Sequence, residues 1–157
     1  MNGKTAFRIL IAYEDRETGN SARNLVRRLA ARLASCCRLE SDPWKFELIG
    51  HPRLKRFVAR AAGEADMIII AAKGGEELPS SVRGWLECWA SRHRCDPVAL
   101  VALSPEQDEV RVPAPAWLAH LARTAAVAGA DFFSPGRAPS EPLFARGELV
   151  ASGASAC

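Results

Sequence analysis

No apolar run in this sequence of 157 residues approaches the roughly 20 residues that a helix needs to cross a bilayer, which excludes a helical membrane span. The opening residues carry no long apolar segment ending at a small-residue cleavage site. Their apolar stretch reads as a first strand, and the expected location is the cytoplasm. Five cysteines are present, but none at Cys-x-x-C spacing, so neither a zinc site nor a dithiol redox motif is built in. Cys36, Cys37, Cys88, Cys95 and Cys157 are read as reduced and structural. Histidine is scarce: His51, His93 and His120 are isolated, and no Ser/His/Asp constellation can be assembled around them. Aromatic residues make up 7% of the chain and are not interleaved with its arginines, which argues against base stacking on a nucleic acid. No internal repeat is found.

What is present is globular. Hydrophobic residues are 48% and charged residues 25%, and the length suits one domain that buries a core without disulfide or metal staples. Residues 1–65 carry thirteen Lys/Arg against seven Asp/Glu, and the remainder eight against eleven, so the net charge of +3 is concentrated in the first half. Arg23, Arg27, Arg28 and Arg32 recur on the polar side of one predicted helix. A charge run of this kind usually faces water, and neither a nucleic acid nor a membrane is expected as a partner.

The stretch Asp66 to Arg92 organises the chain. Met67 to Ala72 is unbroken apolar sequence, as a strand covered on both faces requires. A Gly-rich loop follows, and from Pro79 the residues Val82, Trp85, Leu86 and Trp89 fall at helical spacing. Before it, Phe7 to Tyr13 predicts another buried strand. Thr18-Gly19-Asn20-Ser21 supplies helix-start residues, with Thr18 or Asn20 as the cap, ahead of the apolar stripe from Ala22 to Leu33. Trp44, Phe46 and Leu48 alternate with Lys45 and Glu47, which predicts an edge strand over those residues. Leu54, Phe57, Val58 and Ala61 predict a short helix ending at Gly63.

After the central stretch, Val98 to Leu103 is again too apolar for anything but the sheet interior. Pro105 to Pro115 is a polar connection with a scrap of extended chain at Val110 to Val112. Trp117, Leu118, Leu121, Ala122 and Ala125 then mark a helix ending near Gly129, and Asp131 to Phe133 a short last strand. Residues 1–136 are therefore expected to form the domain and residues 137–157 a tail, flexible or loosely docked. Five strands alternating with four helices predict a doubly wound parallel α/β sheet of order 2-1-3-4-5, which is the flavodoxin-like fold.

In such a sheet, ligands sit beyond the carboxyl ends of the strands, where the winding reverses between strands one and three. Glu14 to Ser21 faces Lys73 to Ser80 there. The first of these segments resembles the flavodoxin phosphate loop: Thr18, Gly19 and Ser21 match the second half of its Thr-x-Thr-Gly-x-Thr motif, while Arg16 replaces the first Thr. That resemblance implies FMN, held by Thr18, Gly19, Asn20 and Ser21 at the phosphate and by Gly74, Gly75 and Glu76 at the ring. Glu14, Asp15 and Glu17 place negative charge against such a phosphate, and no aromatic stands ready to stack the flavin. Glu77-Leu78-Pro79 before a Trp-bearing helix is also similar to NADPH-dependent flavin reductases, although Trp85 and Trp89 serve equally as core.

The same positions resemble a response-regulator receiver. Glu14 and Asp15 match its acidic pair, which would make them weak ligands for a cation, and Ser104 matches its hydroxyl after strand four. Ala72 and Lys73 stand where the phosphoacceptor Asp belongs, and Ser134-Pro135 where Lys-Pro belongs, so aspartyl phosphorylation lacks its nucleophile. The motifs from Ile11-Ala12-Tyr13-Glu14-Asp15 to Asp131-Phe132-Phe133 further resemble a group of small bacterial proteins with degenerate receiver or flavodoxin sites.

The expectation is a non-catalytic receiver-like or flavodoxin-like domain, without a cofactor, that acts through protein contacts in signalling. The alternative is an FMN-binding electron-transfer or flavin reductase-like protein. The sequence predicts no strong helix after strand five, yet strand four is apolar on both sides. A homodimer through the faces of strands four and five is therefore expected, with the tail as the competing cover.

Overall fold

The unbroken apolar runs pair with one another and make the centre of the sheet. In the computed structural model, which describes residues 6–33, 35–73, 77–92, 97–104 and 116–134, β1 (Ala6–Tyr13) lies parallel to β3 (Met67–Ala71), with Ile9 opposite Met67 and Tyr13 opposite Ala71. β3 pairs in turn with β4 (Ala99–Leu103). The strands with weaker patterns take the edges: β2 (Arg38–Lys45) flanks β1 and β5 (Asp131–Phe133) flanks β4. The sheet is parallel throughout, in the order β2-β1-β3-β4-β5, and the fold is flavodoxin-like as the sequence predicts.

Right-handed crossovers sort the helices between the two faces. α1 (Arg16–Leu33) packs with Ile9, Ile11, Ile69, Ala71 and Val101. The opposite face carries α2 (Phe46–Ile49), a 3-10 turn (Pro52–Leu54), α3 (Lys55–Glu64), α4 (Ser80–Arg92) and α5 (Ala116–Ala128). These bury Leu10, Ile68, Ile70, Leu100 and Ala102 beneath Val58, Leu86, Trp117 and Leu121. α5 ends where Gly129 adopts φ +72° and lets the N–H groups of Gly129 and Ala130 reach the carbonyls of Ala126 and Ala125. Those two bonds are a Schellman closure, and the left-handed conformation is the reason for glycine at that position.

Three local expectations are corrected. The second strand is Arg38–Lys45 rather than the alternating segment around Trp44 to Leu48, and Phe46 to Ile49 is a helical turn. Phe46 and Ile49, three residues apart, turn into the core while Leu48 stays 41% exposed, so an apparent period of two was a single helical turn. Pro43 is tolerated within β2 because the strand lies at the sheet edge. α1 begins at Arg16, before Thr18, and its cap is Asp15. α3 runs through Gly63 to Glu64, and it buries Val58 and Ala62 while Phe57 remains 62% exposed.

Residues 137–157, the scrap of chain at Val110 to Val112, His93, Cys95 and Cys157 lie outside the described residues. Among the described residues no helix is long and apolar enough to cross a membrane, and Cys36, Cys37 and Cys88 are free thiols.

Candidate functional site

The carboxyl ends of β1 and β3 converge on a cluster of charge. The chain leaves β1 at Tyr13, and Asp15 then caps α1 by accepting the Thr18 N–H at 3.0 Å on Oδ1. Thr18 answers three residues later: its Oγ1 accepts the N–H of Asp15 at 2.9 Å and that of Glu14 at 3.0 Å, and donates to the Asp15 carbonyl at 3.0 Å. This is a capping box with Asp at the cap and Thr in the position usually held by Glu or Gln. The Thr18 side chain is fully buried, and its hydroxyl hydrogen and both lone pairs are committed within the loop. Gly19 lies against the Tyr13 ring; a Cβ there would stand 3.0 Å from Tyr13 Cδ2, so the ring would have to shift by a few tenths of an ångström to admit a side chain.

Lys73 completes the cluster from the β3 side. Its backbone N–H donates to Glu14 Oε1 at 2.9 Å, and its ammonium lies 3.0 Å from Asp15 Oδ2 and 3.2 Å from Glu17 Oε1. One residue thus draws together all three acids of the loop after β1. The electrostatics follow the contacts. The Thr18 N–H first, and the Lys73 ammonium second, hold the Asp15 carboxyl below its ordinary value, and Asp15 followed by Glu17 pushes the Lys73 ammonium up.

Of the positions that the resemblances single out, Glu14, Asp15 and Lys73 meet in space. Thr18 and Gly19 are buried beneath the loop, Ser21 is half-buried and Asn20 faces water. Gly74, Gly75 and Glu76 lie outside the described residues. Ser104 is buried just past the end of β4. The acidic pair that would ligate a cation is engaged by Lys73, and among the described residues no group of three or more His, Cys, Asp or Glu side chains is arranged to hold a metal. Glu17 is the partner that sequence reasoning missed. A signal was available, because it lies at the second helical position past the cap, at the switch point opposite a lysine.

Other polar features are local. His51 accepts the Arg53 N–H on Nδ1 at 3.2 Å and caps the 3-10 turn, and His120 Nε2 lies 3.9 Å from Glu87 Oε2 between α5 and α4. A cavity of about 240 Å³ opens at the β2 edge beside α3, away from the crevice. Its carboxylates Glu40 and Glu64 are paired with Arg8, Arg38 and Arg60, and Asp42 accepts the Trp44 indole N–H. Compared with known proteins, the chain matches no family model and no curated protein.

Proposed function

We propose that this chain is a non-catalytic, receiver-like signalling domain that acts through protein contacts and is not phosphorylated on aspartate. The observation that carries the reading is Lys73, which stands where a receiver has its acceptor and places an ammonium among Asp15 and Glu17, with its N–H on Glu14. A permanently charged side chain there supplies the positive charge that a bound cation would bring. The contact surface in this reading is the α1-side face of β4 and β5, and the partner is a second copy of the chain. In support, Leu103 and Phe133 are only half-buried there, and α1 is the only helix on that face among the described residues.

The competing reading is an FMN-binding electron-transfer or flavin reductase-like module. Its phosphate would have to be held by Asn20, Ser21 and backbone N–H groups, because the Thr18 hydroxyl is already engaged.

Three measurements test these readings. Beryllofluoride with magnesium should leave the amide shifts unchanged; changes clustered at Glu14, Asp15 and Ser104 would overturn the reading. Binding of FMN at micromolar concentration would replace it with the flavin module. Light scattering at high micromolar concentration should report a dimer. A monomer would sink the dimer, and if deleting residues 137–157 then produced association, those residues would be the cover.

A further inference from the structure

α1 carries five arginines, Arg16, Arg23, Arg27, Arg28 and Arg32, and all five are exposed. None has a carboxylate within ion-pair distance among the described residues; Arg8, Arg38, Lys45, Arg60, Lys73 and Arg83 do, and Arg53, Lys55, Arg56, Arg92 and Arg123 are unpaired too but are spread over other elements instead of gathered on one helix. The one acid on α1, Glu17, is held by Lys73. Arg23 with Arg27 and Arg28 with Arg32 are like-charge pairs four residues apart, which destabilise a helix, and Arg16 in the first turn opposes the helix dipole. Alternating signs would mark a solvated helix laced with salt bridges; here the charge is of one sign and uncompensated, which points to a polyanion.

The arrangement around the helix narrows the class. At 3.6 residues per turn, Arg16, Arg23 and Arg27 fall within ~40° of one another, and Arg28 and Arg32 form a second line ~140° around the helix. Asn20, Asn24 and Ala31 occupy the strip between the two lines, with Glu17 at its N-terminal end, where Lys73 neutralises it. A flat anionic bilayer could meet only one arginine line at a time, and the strip offers no large apolar residue to insert. A groove with phosphates on both walls would meet both lines at once. The major groove of B-form DNA is wide enough for one α-helix, unlike that of an RNA duplex, and asparagine amides at its floor can pair with adenine edges. The five arginines all lie on the side of α1 turned away from the sheet, opposite Thr18, Gly19 and Ala22, which are buried.

We infer that α1 is a DNA-binding helix, with Arg16, Arg23 and Arg27 on one phosphate strand, Arg28 and Arg32 on the other, and Asn20 and Asn24 toward the bases. This goes beyond the protein-contact reading and stands on separate residues. The aromatic residues that the sequence lacks are required for stacking on single strands but not for seating a helix in a duplex groove.

The test is fluorescence anisotropy of the full chain with a labelled 20-base-pair duplex of mixed sequence. Binding at 50 mM salt should weaken steeply with salt, with a log–log slope of about −4 for some four to five neutralised phosphates. Arg23→Gln and Arg28→Gln, one from each line, should each weaken binding several-fold and reduce the slope by about 1. Circular dichroism should show both variants folded. Asn20→Ala with Asn24→Ala should reduce preference among duplex sequences and leave the slope unchanged. No binding at 50 mM salt, or binding that both arginine variants leave intact, overturns the proposal. So does equal, arginine-dependent sedimentation with vesicles of phosphatidylglycerol and phosphatidylcholine in equal parts, which would make the surface a membrane contact.

Discussion

The two faces of β4 are built from the same kind of residue and end in different environments. Leu100 and Ala102 point toward α4 and α5 and are fully buried, while Val101 and Leu103 point toward the α1 side, where Val101 keeps 6% exposure and Leu103 is half-buried. The strand alone does not create this contrast. Among the described residues four helices cover one face and α1 alone the other, and burial on the second face falls away from β3 toward β5. What separates a closed core from a half-buried face here is the number of helices that the connections deliver to each side among the described residues.

The largest expected effect breaks this comparison within the one strand. Leu100→Ala should cost about 2–5 kcal/mol, the range for a fully enclosed leucine, because the surroundings cannot collapse into the void. Leu103→Ala should cost less, about 1–2 kcal/mol, since part of its surface already faces water. Urea midpoints at unchanged slope measure both. If Leu103→Ala cost as much as Leu100→Ala, the α1 face would be covered in solution. A midpoint that then rose with protein concentration would identify a second copy as the cover.

Next in size is the loop that joins the sheet to α1. Thr18→Ala leaves the Asp15 N–H without its acceptor in a part-buried loop, while the Glu14 N–H keeps the Ala71 carbonyl at 3.0 Å. A loss of about 1–3 kcal/mol is expected, the usual cost of stranding buried polar groups. Thr18→Ser keeps every one of those hydrogen bonds and should lose about 1 kcal/mol for the buried methyl group. Equal losses in the two variants would show that packing rather than the capping box holds the loop.

The sheet was legible in the sequence for a physical reason. Met67 to Ala71 and Ala99 to Leu103 are apolar throughout and buried along their middles, and nothing but an interior parallel strand accepts such runs. Edges are harder to read, because half-exposed segments obey weaker rules: Arg38–Lys45 carries Pro43 and several charges, while the neighbouring Trp44, Phe46 and Leu48 imitate a strand. The site was legible in position and not in its contacts. A switch point follows from strand order, whereas the reach of Lys73 to Glu17 depends on how the loop after β1 closes. That closure is set by Thr18, read beforehand as a cap or a phosphate ligand and found at the third position of the helix.

A smaller effect concerns pH. The Asp15 carboxyl is held below its ordinary value of 3.8, so its contribution to stability is present above that value and is lost as pH falls through the lower, folded value. The Lys73 ammonium is raised above its ordinary 10.5, so its contribution is complete below 10.5 and is lost as pH rises through the higher, folded value. The pair should therefore act across the whole range from about pH 4 to about pH 10. In Lys73→Met, carbon-detected NMR titration should find the Asp15 carboxyl moved up but still below its ordinary value, because the Thr18 N–H continues to donate to it. No movement at all would show that the ammonium does not reach Asp15 in solution.

The smallest expected effect sharpens the contrast from the opposite side of the sheet. On the face that four helices close, Phe57 of α3 is 62% exposed although Val58 beside it is fully buried. The helix can turn only one stripe inward, and Val58 and Ala62 occupy it. Most of the Phe57 ring therefore gains nothing from folding, and alanine is the better helix former by about half a kcal/mol. Phe57→Ala should then change stability by no more than about 0.5 kcal/mol in either direction. A loss above about 1 kcal/mol would mean that the ring is covered in solution by something outside the described residues, or by a partner. Comparing the variant at two protein concentrations decides between them: a loss that vanishes on dilution would place an association surface on the face that α2 to α5 cover, and helix cover would no longer account for the difference between the two faces.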